Sequence, residues 1–247
     1  MTAYSYSKSE LKKRLYAVGD ERYHDKHPFH KMLHSGECNI DQVRAWVLNR
    51  YYYQSRIPMK DAAFLSRIED YKLRKSWRHR IEDHDGTKDN LGGIERWLKL
   101  AEGVGLNPEF VKSTAGVLPV TRFSVDSYVN FVREKPVIQA VASSLTELFA
   151  KKIHKERIDG LLKNYDFATE ETISYFQRRL SEAPKDVEFG LDWVLRNAVS
   201  PKDQELAINA LIFKTEVLWS QLDGLYSAYV SPGRIPPGAW EPHQGLL

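Results

Sequence analysis

The chain has 247 residues, 42% of them hydrophobic and 28% charged, which excludes general disorder and allows one large domain or two small ones. Its 36 basic and 33 acidic residues give a net charge of +3, too balanced to indicate a nucleic-acid partner, and its one cysteine excludes an internal disulfide. The sequence does not begin with a signal-peptide pattern and has no run of about 18 apolar residues, so we expect a cytoplasmic protein with no membrane partner.

Apolar residues recur at three- and four-residue steps along most of the chain, which is the period of an α-helix. These segments cover 39–54, 70–82, 94–101, 117–132, 137–158, 170–181, about 186–199 and 203–229. Ser200 and Pro201 precede the last of them and match a helix start, as the N-cap and the first helical residue. Because no segment alternates with a period of two residues, we predict an all-α fold.

The sequence contains no internal repeat and no long linker, and its only cluster of proline and glycine lies at 231–238. We therefore predict one helical domain over residues 1–230, a single-domain helical bundle whose connections are short. The remaining residues, 231–247, are predicted to form an irregular C-terminal tail.

Several of the predicted helices carry polar residues on the apolar face, because residues three or four apart share one face. These residues are Arg50, Gln54, Arg80, His84, Glu147, His154, Arg157, Tyr175, Arg179 and Lys214. Any one of them alone is better explained by a structural role, either a hydrogen bond in the core or a long side chain that reaches water. Their recurrence on five helices instead predicts a buried cationic cluster, which needs anionic partners. Glu147 supplies one, and a bound polyanionic small molecule would supply the rest.

Four histidines at three- or four-residue spacing, in YHDKHPFHKMLH (23–34), raise the alternative of a metal site. Glu21 and His24 have the E-x-x-H spacing of di-iron bundles, but the second E-x-x-H motif that such bundles need is absent from the sequence. We predict no metal, and keep a metal-dependent oxygenase as the alternative function. Its ligands would be His24, Glu147, His154 and either Asp83 or His84.

From about residue 23 to residue 219 the chain resembles the pyrroloquinoline-quinone synthase family. The motifs that carry the resemblance are YHDKHPFH (23–30), NRYYYQSRIPMKDAA (49–63), DHDG (83–86), GGIERWL (92–98), SSLTELFA (143–150), IHKER (153–157), YFQRRL (175–180) and DVEFGL (186–191). Each motif alone is weak, but their joint order and spacing are typical of this family. One difference is Lys151, since the family often has proline after the last alanine of SSLTELFA.

The resemblance implies a haem oxygenase-like helical bundle, similar to the TenA-type proteins, that forms a homodimer. It also implies ring closure and eight-electron oxidation of a tricarboxylate precursor by O2. The products would be pyrroloquinoline quinone (PQQ) and hydrogen peroxide, formed with neither a metal nor an organic cofactor. By position, the substrate and product contacts would be Tyr23, His24, Arg50, Gln54, Lys60, Arg80, Tyr128, Glu147, Arg157 and Lys214. The groups around O2 would be His154, Tyr175 and Arg179, with His84 as the main acid and base.

The chemistry expected of such a protein is proton transfer and electrostatics, because the deprotonated precursor can itself reduce O2. We expect His84 and His154 to titrate near neutrality and to transfer protons. The cations are expected to hold the substrate carboxylates in a reactive pose. A third, non-catalytic possibility is a protein that binds PQQ and releases it to an accepting carrier or enzyme.

Overall fold

Twelve α-helices and two short 3-10 segments form the part of the chain that the computed structural model describes, residues 5–247 without the side chains of 181–187. The helices are α1 (Lys8–Arg22), α2 (Pro28–Ser35), α3 (Ile40–Leu65), α4 (Tyr71–Trp77), α5 (His79–Asp85), α6 (Gly93–Gly103), α7 (Pro108–Ser113), α8 (Pro119–Glu134), α9 (Val137–Ala142), α10 (Ala150–Asn164), α11 (Ser174–Asn197) and α12 (Pro201–Tyr229). The 3-10 segments are His24–Lys26 and Ser143–Phe149. Residues 1–4 of the predicted domain, and the side chains of the first two residues of DVEFGL, lie outside the described residues.

The all-α prediction is confirmed, since within residues 5–247 the backbone forms only isolated β-bridges besides its helices. The predicted start of the last helix is also present, with Ser200 Oγ accepting a hydrogen bond from the Asp203 amide at 3.0 Å. Among the described residues, no helix is both long enough and apolar enough to cross a membrane.

Four of the predicted helical segments differ from the observed helices. The segment 70–82 is divided at Arg78 into α4 and α5, and the two segments over 170–199 are parts of one helix, α11. The segment 137–158 is divided by the 3-10 turns of Ser143–Phe149. Ser143 Oγ donates to the Ala140 carbonyl at 2.8 Å, a bond that competes with the regular helical pattern. A new helix begins at Ala150, directly before Lys151, so the helix boundary forms here without a proline.

The core lies around the two longest helices, α3 and α12. α3 packs along α8, and α12 packs along α8, α9 and α1. One apolar cluster surrounds the edge-to-face pair Trp46 and Trp97, and a second joins α12 to α8, α9 and α11. Polar side chains on α3 and α12 are therefore held on rigid supports between two packed regions.

The tail over 231–247 has no regular secondary structure, yet it packs on the bundle. Trp240 is fully buried, and its indole donates to the Gln244 carbonyl at 2.7 Å. Its backbone amide donates to the Gly116 carbonyl at 2.7 Å. Gly116 has φ +78°, and a Cβ there would lie 2.9 Å from Cβ of Trp240, so only glycine permits this close approach. The tail therefore completes one end of the first apolar cluster.

Because Trp240 is fully buried in that cluster, we expect Trp240→Ala to lower the free energy of unfolding by about 3–5 kcal/mol. Phe123→Ala is the matched control, since that side chain is 74% exposed and its removal is expected to change stability by less than about 0.5 kcal/mol. Urea denaturation followed by circular dichroism measures both. Equal stability of the two variants would show that the tail does not contribute to the core.

Candidate active site

A cavity enclosing about 680 Å³ of empty space, part of it open to solvent, lies between α3, α5, α8, α10, α11, α12 and the two 3-10 segments. The predicted site residues that line it are Tyr23, His24, Arg50, Gln54, Lys60, Arg80, His84, Tyr128, Glu147, His154, Arg157, Tyr175, Arg179 and Lys214. The structure therefore brings together every residue predicted for the site, including Lys60 and Tyr128, which came from the resemblance alone.

Glu147 is the carboxylate in the cavity wall, and two arginines contact it. Arg80 binds it in a bidentate pair, with nitrogen–oxygen distances of 2.5 and 3.1 Å, and Nη2 of Arg179 lies 3.6 Å from it. Burial raises the pKa of this carboxyl, but Arg80 and Arg179 outweigh burial and lower it to about 2. Glu147 is therefore ionised at neutral pH.

Asp61, a residue not predicted for the site, lies behind the cavity wall and is fully buried. Its carboxylate forms an ion pair with Lys60 and accepts a hydrogen bond from the Trp77 indole at 2.7 Å. Nε of Arg80 lies 3.8 Å from the same oxygen. Asp61 thus fixes two cavity cations from behind. The signal available in the sequence was its place beside Lys60 in the motif over 49–63.

Three further cations line the cavity without contacting any carboxylate of the described residues: Arg50, Arg157 and Lys214. Lys214 donates to the hydroxyl of Tyr53 at 2.8 Å and lies 3.5 Å from the ring centre of Tyr128. Arg50 stacks on the ring of the same Tyr53, with its guanidinium carbon 4.0 Å from the ring centre. Tyr53 was also not predicted for the site, although it directly precedes Gln54.

Burial and mutual repulsion weaken the protonation of these cations. Burial lowers the pKa of Lys214 well below its ordinary value, and the charges of Arg50 and Lys60 lower it further. Burial and Arg50 together lower the pKa of Arg157 to about 10. A ligand with several carboxylates would remove this repulsion, so the cavity is suited to a polyanion.

The expectation that His84 and His154 titrate near neutrality is wrong for the unliganded protein. Burial lowers the pKa of His84 to about 4, helped by the charge of Arg179. Burial, Arg157 and Arg179 lower the pKa of His154 well below its usual range. The physical reason is that a positively charged, largely dry cavity disfavours a further positive charge. Both rings are therefore neutral at pH 7.

The position of His84 defines which of its nitrogens can accept a proton. Nδ1 lies 3.0 Å from the carbonyl oxygen of Arg80, one turn earlier on α5, so this nitrogen carries the hydrogen. Nε2 then keeps its lone pair and can act as a base. The loop after α5 supports this arrangement, because Gly92 packs so closely that a Cβ would lie 2.3 Å from the His84 carbonyl.

Tyr175 and Gln54 meet across the cavity. The Tyr175 hydroxyl donates to Oε1 of Gln54 at 3.0 Å. Burial raises the pKa of Tyr175, so the hydroxyl stays protonated at neutral pH and remains a hydrogen-bond donor. Nearby, Nδ1 of His24, Nδ1 of His154 and Oγ of Ser144 are buried without a partner among the described residues. These atoms offer additional hydrogen bonds to a ligand.

The alternative metal ligands do not converge. Within the described part of the chain, one group of three His, Cys, Asp or Glu side chains has ligand atoms within 4.8 Å of one another, namely His30, His34 and Glu156. The alternative set built on His24, Glu147 and His154 is not such a group. Cationic side chains also surround that set, and they would repel a metal cation.

Known proteins share both the sequence and the fold. The model of the TENA/THI-4/PQQC family matches residues 12–224. The chain is 65% identical to the pyrroloquinoline-quinone synthase of Rhizobium meliloti, over 95% of this chain and 91% of that protein. It is 62% identical to the pyrroloquinoline-quinone synthase of Ruegeria pomeroyi, over 97% of this chain and 99% of that one.

Solved structures at low identity support the fold alone. A domain from Shewanella denitrificans with a heme oxygenase-like fold has a TM-score of 0.76 at 14% identity, covering 96% of this chain and all of that one. A TenA homologue from P. horikoshii has a TM-score of 0.67 at 15% identity, covering 88% of this chain and 98% of that one. The expected haem oxygenase-like bundle is confirmed.

The lowered pKa of His84 predicts a loss of stability in acid. Below pH 6.5 the imidazole of His84 takes up a proton in the unfolded chain, but in the folded chain, where its pKa is about 4, it does not. The free energy of unfolding therefore decreases as the pH is lowered from 6.5 to 4. We expect this residue to contribute about 3 kcal/mol to that fall. His84→Asn keeps a donor for the Arg80 carbonyl but does not titrate. Urea denaturation at pH 7 and pH 4 should therefore show a smaller loss in the variant, and equal losses would contradict the assignment.

Proposed function

The chain belongs to the TENA/THI-4/PQQC family and is an enzyme of PQQ biosynthesis, and we propose that it catalyses ring closure and eight-electron oxidation of a tricarboxylate precursor by O2. The observation that carries this proposal is the set of cavity cations, of which Arg50, Arg157 and Lys214 contact no carboxylate of the described residues. Their number and spread around one cavity match a rigid ligand that carries several carboxylates.

Binding of such a ligand changes the chemistry of the cavity. Three substrate carboxylates would offset the charges of Arg157, Arg179 and Arg50, which lower the pKa of His154 in the unliganded protein. The pKa values of His84 and His154 then rise toward the range in which imidazole exchanges protons rapidly. On this proposal, the two rings become acid–base catalysts only when substrate is bound.

Each of the remaining polar groups has a role in the same proposal. Nε2 of His84 removes protons from the substrate as ring closure and oxidation proceed. The Tyr175 hydroxyl turns from Gln54 to donate to reduced oxygen, and Arg179 stabilises the negative charge that develops there. The cations that hold the carboxylates place the ring-closing amine against its carbon.

The electrons pass from the deprotonated substrate to O2, and we propose that neither a metal nor an organic cofactor takes part. Each O2 accepts two electrons and two protons and leaves as hydrogen peroxide. The further parts of the proposal are a homodimer, a cytoplasmic location and transfer of PQQ to an accepting carrier or enzyme. They rest on the family relationship.

Turnover without metal tests the proposal directly. Chelator-treated protein is mixed with the tricarboxylate precursor in air, while quinone absorbance and peroxide are followed. We expect full turnover and release of peroxide. Activity lost on chelation and restored by a metal would instead support the metal-dependent oxygenase. Binding of PQQ without any turnover would support the non-catalytic carrier.

His84→Asn separates binding from catalysis, because the substitution keeps the hydrogen bond to the Arg80 carbonyl and removes the basic nitrogen. We expect PQQ to bind with a Kd within about twofold of wild type, and the oxidation rate to fall about 100-fold or more. Single-turnover absorbance and fluorescence titration give the two quantities. An oxidation rate equal to that of wild type would rule out His84 as the acid and base.

A further inference from the structure

A second, narrower chamber adjoins the cavity, with about 440 Å³ of empty space that includes open solvent. The two share part of their walls, residues His24, Arg50, Arg157 and Leu218. Its other walls are Phe29, His30, Leu33, Trp46, Asn49, Gln221, Leu222 and Leu225. The amides of Asn49 and Gln221 donate to backbone carbonyls of their own helices. His24 and His30 are the histidines of the chamber wall, and Arg50 and Arg157 are its charged groups.

Three histidine rings form a continuous file from the cavity, past this chamber, to the surface. The ring centres of His24 and His30 are 5.4 Å apart, and those of His30 and His34 are 3.9 Å apart. His24 and His30 are buried, whereas His34 is partly exposed and lies beside the exposed carboxylate of Glu156. Nδ1 of His24 and Nε2 of His30 are buried and have no partner among the described residues.

We propose that His24, His30 and His34 form a proton relay between the reaction cavity and solvent, with Glu156 at its outer end. The proposal rests on the oxidation described above, in which protons leave the substrate while O2 takes them up at another position in a largely dry cavity. A path to solvent keeps these two processes in balance. The relay moves protons only: because no hydrogen bond of the described residues joins the three rings at rest, each ring first turns to bring a nitrogen to its neighbour. It then accepts a proton on one nitrogen, releases one from the other, and returns to its first tautomer.

The electrostatics keep the relay in a usable state. Burial lowers the pKa of all three rings, with the charge of Arg157 adding to it, and the pKa of His34 falls to about 3. Each ring is therefore neutral at rest, with one hydrogen and one lone pair. The charged and titratable groups that face the file are Arg50, Arg157, Lys214 and His27, with Glu156 beside His34 at the outer end. Substrate carboxylates offset the three cations and allow a ring to hold a proton in transit.

Arg157 joins the relay to the substrate. Its Nε donates to Nε2 of His34 at 3.2 Å, which occupies the lone pair of the outermost ring. A carboxylate that draws the guanidinium into the cavity frees this nitrogen, so substrate opens the path that its oxidation requires. The same contact disfavours a metal ion on His30, His34 and Glu156, because a cation already lies against one of the ligands.

The test compares His30→Phe, which keeps a ring and removes both nitrogens, with the control His27→Asn. His27 lies in the same segment, but it caps α2 through the Phe29 amide, and asparagine is a good cap. Its ring does not line either cavity.

We expect His30→Phe to lower kcat about tenfold or more. Its Kd for PQQ should stay within about twofold, its solvent isotope effect should increase, and added imidazole should restore part of kcat. The control should keep its kcat within about twofold.

A second variant covers the case in which His30→Phe does not fold. His34→Gln keeps an oxygen that can accept from Arg157 but cannot relay protons, and we expect the same loss of kcat. Histidine ¹⁵N spectra of the wild type should also show that PQQ alters the hydrogen bond at Nε2 of His34.

Several results would overturn the relay. They are wild-type kcat in both variants, a loss confined to the Kd for PQQ, or an equal loss in His27→Asn. Stimulation of the wild type by Zn²⁺, absent from both variants, would overturn it too and identify a metal site. Wild-type turnover is measured first, because its absence would refute the proposed oxidation and not the relay.

Discussion

Mutual repulsion among buried cations is the constraint on which the rest of this structure depends. Six cationic side chains line one cavity, whereas its described lining contains one carboxylate, Glu147. Like charges gathered around one poorly solvated cavity repel one another, because little water is present to screen them. The fold holds them by two means. Buried carboxylates fix Lys60 and Arg80, and aromatic rings face Arg50, Arg157 and Lys214.

This repulsion is the source of the specificity that we propose. A cavity that is poorly satisfied when empty gains most from a ligand that brings negative charge at several points. The helices α3 and α12 cannot relax to relieve the repulsion, because each is packed between two apolar clusters. The positions of the cations are thus prepared before the ligand arrives, which reduces the ordering that binding requires.

The same field sets the protonation of the histidines. Neutral rings at His84 and His154 are a poor starting point for acid catalysis, yet they are suitable bases for an electron-rich substrate that must lose protons. In the function that we propose, substrate charge shifts the pKa values toward neutrality, so that binding and proton transfer are linked through electrostatics. The file of histidines from His24 to His34 extends this link to the protein surface.

The sequence by itself determined the helical class, the approximate positions of helices such as α3, α8 and α12, and most of the polar residues that line the cavity. Helical periodicity records which residues face inward, and polar residues on those faces, such as Arg50 and Lys214, marked the cavity. Two neighbours of predicted residues, Tyr53 and Asp61, were missed because a single tyrosine or aspartate forms no periodic pattern that would indicate an inward-facing position.

Only the tertiary structure decided the charge state of the site. The pKa of His84 depends on burial between helices remote in sequence and then on the charge of Arg179, and no local pattern in the sequence encodes these contacts. The packing of Trp240, likewise, follows from a contact with Gly116 that the chain makes only when folded.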